Sequence, residues 1–164
     1  MKHIYRSLTL AAALVLTLAG VGMAQTNFVI LLDGAQEVPP VATPASGSGT
    51  AVLNAAQTQL TVSYSFSGLI GTQSNQHIHN GAVGVAGGVS KNLPPGSPVI
   101  GFVWTSSDGT QPLTPALVTE LLAERLYVNI HSTFRPGGEI RGQLLLEQVG
   151  TESVSWSRIK NLLQ

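Results

Sequence analysis

Between Leu60 and Phe66 the chain alternates without a break: Leu60, Val62, Tyr64 and Phe66 fall on one side, Thr61, Ser63 and Ser65 on the other. A period of two puts one set against a core and leaves the other facing out of a half-buried strand. Further strand-like runs recur at Phe28–Leu32, Thr50–Leu53, Val99–Trp104, Tyr127–His131 and Glu139–Leu146. Turn residues bound them, among them Asp33–Gly34, Ser107–Asp108–Gly109 and Pro136–Gly137–Gly138. The chain holds 18 glycines and 9 prolines, and only 10% of it is charged. Many short strands joined by tight turns give this composition, so a mostly β domain is predicted. Ala42 to Gly49, Gly71 to Gln76 and the glycine-rich stretch Gly81 to Gly88 read as loops. One helix is expected: Thr114 is a good N-cap, Pro115 suits the first helical position, and Leu117, Leu121 and Leu122 form an apolar stripe, with Glu120 and Glu124 one turn apart.

The N-terminus has the three parts of a secretory signal. Lys2, His3 and Arg6 are positive, Leu8 to Ala19 is apolar, and Gly22 and Ala24 are small residues placed for a cut after Ala24. Residues 1–24 are therefore expected to be a signal peptide, residues 25–148 one β domain, and residues 149–164 a tail. In that tail Val154, Trp156, Ile159, Leu162 and Leu163 suggest a short amphipathic helix. The apolar stretch falls short of the roughly 20 residues that cross a bilayer. The expectation is a secreted or periplasmic protein with no membrane span after the signal is removed. Loss of Lys2 and Arg6 leaves six basic residues against eight acidic ones, a net charge near −2. That sign excludes a nucleic-acid footprint and argues against anionic membranes.

The chain has no cysteine, which removes disulfides, thiolate zinc sites and cysteine nucleophiles together. No Gly-x-Ser-x-Gly and no telling pair of carboxylates supports a hydrolase. The glycines near residue 84 lack the lysine and following helix of a phosphate loop. What remains is a set of histidines. After His3 leaves with the signal there are three: His77, His79 and His131. His77 and His79 are two apart on one strand, so they share a face, with Ile78 turned to the core. On the run Tyr127–His131, Val128 and Ile130 turn inward, and Tyr127, Asn129 and His131 turn away. If the two strands are neighbours, three imidazoles converge. Such a set binds copper, with zinc as the alternative, and leaves a coordination position open. Ligand nitrogens at about 2.0–2.1 Å from a metal lie roughly 3–4 Å apart. The competing reading is structural: histidines that cap carbonyls or sit beside Glu37 or Glu139. Glu37 itself is read as pairing with Arg141 or Arg135, or as an acceptor that orients a histidine. Arg141 either holds Glu37 or draws a small anion towards a metal.

Three segments resemble the CHRD domain, the module repeated in chordin and found singly in bacterial secreted proteins. They are Leu32–Pro40, His77–Gly81, and Tyr127–Ser132 followed by Pro136–Gln143. The resemblance spans about residues 28–147 and implies an antiparallel β-sandwich of Greek-key type, or a barrel, with no defined catalytic activity. A fainter likeness is to copper/zinc superoxide dismutase. It matches His77, His79 and His131 to three copper-ligand positions and Arg141 to an anion-guiding arginine. No histidine is left for the bridging ligand, no zinc cluster exists, and the disulfide cysteines are missing. The expected function is thus a transition-metal (copper) binding module without catalysis. The alternatives are a structural or interaction module with an unknown protein partner, and a dismutase-like oxidoreductase.

Overall fold

The computed structural model describes residues 24–147. The expected signal peptide, apart from Ala24, and the C-terminal tail lie outside them. Eight strands and one helix follow in chain order: β1 Thr26–Asp33, β2 Ser46–Leu53, β3 Gln59–Ser67, β4 Gln73–Asn80, β5 Gly88–Asn92, β6 Val99–Thr105, α1 Pro115–Leu122, β7 Leu126–Ser132 and β8 Ile140–Leu146. All pairings are antiparallel, in one sheet of order β5-β4-β7-β8-β1-β2-β3-β6. The sheet curls into a nearly closed barrel or sandwich, so the all-β fold class expected from the turn-punctuated sequence is the one found. The stretch β8-β1-β2-β3 has the spatial order of a Greek key, a meander whose first strand is flanked by a returning later strand.

The alternation of β3 works as read: Leu60, Val62 and Tyr64 are buried and Phe66 packs against the core they form. Phe28, Ile30 and Leu32 from β1, Ile78 from β4, Val128 and Ile130 from β7 and Leu144 from β8 face the same core. Trp104 is fully buried and its indole N–H donates to the Gln111 carbonyl, which satisfies its one polar atom. Thr114 caps the helix by accepting from the Leu117 amide at 3.2 Å, and Val118 and Leu121 bury its inner face.

The structure differs from the sequence expectations in five places. Ser46–Gly49 is strand, not loop, because β2 lies between β1 and β3 and its backbone is paired on both sides. Its glycines let neighbours close in: a Cβ on Gly49 would lie 2.3 Å from the Ser63 carbonyl oxygen. β4 begins at Gln73, inside a polar stretch read as loop, and β5 follows the glycine loop where no strand was expected. The helix stops at Leu122, and Glu124 lies beyond it with φ +57°. Its carboxylate accepts from the Leu146 amide rather than facing solvent from a helical turn. Finally, every residue of β7 is buried, including the face turned away from the core. Loops 81–87 and 133–138 run close to that face and bond to its side chains.

Candidate metal centre

β4 and β7 are adjacent in the sheet, which is the condition the histidine reading required. His77 pairs across to Asn129 and His131 to Asn75, so His131 sits diagonally from His77 on the same face. The ring centroids of His77 and His131 are 4.8 Å apart, those of His77 and His79 5.5 Å, and those of His79 and His131 5.6 Å. His77 Nδ1 lies 3.0 Å from His131 Nε2. One ring nitrogen from each histidine lies within 4.8 Å of the other two. Two nitrogens on opposite sides of a metal at about 2.0–2.1 Å are roughly 4 Å apart. Neighbouring ligands of a tetrahedral ion lie nearer about 3.3 Å apart, so a bound ion requires the widest pair to close by roughly 1–1.5 Å through ring rotation.

The hydrogen bonds around the rings fix their chemistry. His79 Nδ1 meets the Gly87 carbonyl at 2.9 Å, and His131 Nδ1 meets the Pro136 carbonyl at 2.9 Å. A carbonyl only accepts, so both Nδ1 atoms carry hydrogen and both Nε2 atoms present lone pairs. His79 Nε2 is buried without a hydrogen-bond partner. Burial lowers the pKa of all three histidines, and at His77 the neighbouring charges of His131 and His79 lower it further. Neutral imidazoles with backbone carbonyls behind them are the form that ligates a metal. Among the described residues, this is the one group of histidine and carboxylate side chains whose ligand atoms converge in this way.

Glu37 and Arg141 are placed near one another but outside that ligand group. Glu37 is 7% exposed and forms no ion pair within 4 Å with Arg141 or Arg135. Its Oε1 is buried and unpartnered, as is the Asn129 Oδ1. Both lie beneath Gly138, where a Cβ would come within 2.5 Å of Glu37 Oε1 and 2.4 Å of Asn129 Oδ1. Burial pushes the Glu37 carboxyl up to about 7, against the pull of the Arg141 charge. A cleft of about 340 Å³ runs between Glu37–Val41 and Phe134–Gly138, and the histidines do not line it. Arg141 is buried: Nη1 donates to the Val85 carbonyl and Nη2 to Ala82 and Gln143. Glu139 accepts from Ser132, Thr43 and the Ile70 and Gly71 amides, not from a histidine.

Two parts of the site escaped sequence reading. The carbonyls of Gly87 and Pro136 have no side-chain signature. Tyr127 does have one: alternation puts it on the face of His131, and its ring stacks on His79 at 5.1 Å and 15°.

The fold and these histidines define a class first: an all-β module with a three-histidine cluster on one face of its sheet. The family model of the CHRD domain matches residues 28–144, and the chain belongs to that family. No curated protein and no solved structure matches.

Proposed function

We propose that this chain is an exported single-domain module that binds a transition-metal ion through His77, His79 and His131, copper in the first place and zinc as the alternative. The observation that carries the reading is the convergence of three neutral imidazole nitrogens within 4.8 Å. Three nitrogen ligands leave a position open for water or an exchangeable group. Copper(II) is preferred over zinc by intrinsic affinity for such a nitrogen set. The secretory pattern of residues 1–24 supports export, and CHRD domains occur in extracellular or secreted proteins. No helix among the described residues is long and apolar enough to cross a membrane.

A structural reading has an observation in its favour: the His77–His131 hydrogen bond and the two carbonyl contacts make a corner that holds itself together. It leaves His79 Nε2 buried and unpaired, which costs about 1–3 kcal/mol with nothing in return. A metal ion removes that cost.

The test is thermal unfolding of the purified full chain with chelator, with copper(II) and with zinc. A ligand at about a hundred times its Kd adds roughly 2.7 kcal/mol, which raises Tm by several degrees in a domain of this size. The rise should vanish in His77→Ala, His79→Ala and His131→Ala. Absence of a shift with both metals in the unaltered protein would reject the reading.

A further inference from the structure

We propose that Arg141 and Tyr127 are positioning residues for the histidine site: together they pin the loop 81–87 so that the Gly87 carbonyl holds His79 in the tautomer with a free Nε2 lone pair. The purpose of this device rests on the metal-binding reading above; its geometry does not.

The loop has the sequence Gly-Ala-Val-Gly-Val-Ala-Gly, with no polar side chain of its own. Its larger residues, Val83 and Val85, are 69% and 54% exposed, so side-chain burial does not set its position. Its backbone is held from outside instead. Gly81 N–H donates to the Arg125 carbonyl at 2.7 Å, and the Gly81 carbonyl accepts from Gln143 Nε2 at 3.0 Å. Arg141 takes the middle, with Nη2 2.8 Å from the Ala82 oxygen and Nη1 2.9 Å from the Val85 oxygen. Tyr127 takes the far end: its hydroxyl oxygen accepts from the Gly87 N–H at 3.0 Å. The carbonyl of that same Gly87 then receives His79 Nδ1.

Glycine is required where the loop closes. A Cβ on Gly87 would lie 1.7 Å from the Asn80 carbonyl oxygen, so no other residue brings this carbonyl over His79. The two positioning side chains also support each other. The Arg141 guanidinium lies 3.5 Å from the Tyr127 ring centroid, and the same ring stacks on His79. Arg141 is 2% exposed, and among the described residues no carboxylate lies within ion-pair distance of it. A buried cation without a carboxylate is costly, and here its hydrogen bonds go to loop carbonyls and one amide. A planar fork is what spans two carbonyls at once, and an ammonium group lacks it. Arg141 thus acts on the loop, the loop on Gly87, and Gly87 on the proton of His79.

Two readouts test this on the full chain. Nitrogen-15 NMR of the metal-free protein reports which nitrogen of His79 is protonated. Copper titration reports affinity, and the copper EPR spectrum reports the ligand geometry. In the unaltered protein His79 should hold its proton on Nδ1. In Tyr127→Phe, which removes one oxygen and keeps the ring, both tautomers should appear, the EPR parameters should shift, and copper affinity should fall about 10–100-fold. Arg141→Lys should fail to restore what Arg141→Met loses. A folded Tyr127→Phe protein with a single unchanged tautomer and unchanged copper affinity overturns the proposal. If the unaltered protein binds neither copper nor zinc, the metal reading falls, and the tautomer measurement still decides whether Tyr127 and Arg141 fix His79.

Discussion

Glu37 carries a carboxylate where water scarcely reaches. Its Oε1 is sealed under Gly138 beside the unpartnered Asn129 Oδ1. The Val38 amide and the Asn129 side chain favour the ionised carboxylate, and burial outweighs both. Burial raises the group from an ordinary 4.5 to about 7, despite the opposing charge of Arg141. The folded state therefore binds this proton more tightly than the unfolded chain does. Ionised Glu37 costs stability above pH 7, and the cost disappears as pH falls from 7 towards 4.5. Glu37→Gln should stabilise the protein at pH 8 by up to about 3 kcal/mol and give little advantage at pH 4.5. Urea unfolding at the two pH values measures this; equal effects at both would show that the charge is not the cause. None of this was legible in the sequence. Glu37 stood beside two prolines with two arginines as plausible partners, and only the path of the chain over it decides that neither arginine pairs with it. The histidines were legible, because alternation on a strand fixes which side chains share a face. Their backbone partners were not, because a carbonyl leaves no mark in a sequence.

At the level of elements, legibility followed periodicity. β3 could be read residue by residue because it alternates and has one polar face. β5 could not: Gly88–Asn92 has a single apolar residue, Val89, and that side chain is 47% exposed. It is a strand because β4 offers it a partner edge. The same holds for Ser46–Gly49, whose residues have poor strand propensity but whose backbone has a partner on each side. Glu139, just before β8, shows how an element start is fixed by one side chain. Its carboxylate gathers the hydroxyls of Thr43 and Ser132 and the amides of Ile70 and Gly71 from three separate segments. Burial opposes its ionisation, but these donors outweigh it and hold its pKa below the ordinary value. Glu139→Ala leaves several buried donors without an acceptor, and a loss of about 3 kcal/mol or more is expected. Glu139→Gln should recover part of it. Because the folded pKa is lowered, the contribution of Glu139 is full above about pH 4.5 and is lost as pH falls below it. The unaltered protein should therefore lose stability in acid more steeply than Glu139→Gln, and denaturant midpoints from pH 6 to pH 3 measure that difference.

On the scale of the molecule, the barrel has one seam. The strand order ends with β5 on one side and β6 on the other, and no ladder joins them among the described residues. Side chains close the gap. Lys91 of β5 makes an ion pair with Asp108, just beyond β6, and its ammonium sits 5.9 Å from the Phe102 ring centroid on β6. Asp108 is held ionised by the Gln111 amide first, then by Lys91 and the Thr110 amide, which keep its pKa well below the ordinary range. Gln76 of β4 reaches the same region, donating to the carbonyls of Pro94 and Gly96. A boundary made of side chains opens at lower cost than a ladder of backbone bonds, so β5 and β6 should be the first strands to exchange their amide hydrogens. Lys91→Ala removes the main clasp. Exchange in β5 and β6 should quicken roughly tenfold or more, while β1, β2 and β8, each paired on both sides, keep their protection. The histidines lie on β4 and β7, the second and third strands from the seam on the β5 side. Copper or zinc added to Lys91→Ala should therefore slow exchange in β4 and β7 and leave β6 fast. Slowing that spread equally over all eight strands would mean that the molecule opens only as a whole, and that the seam is not a separate unit.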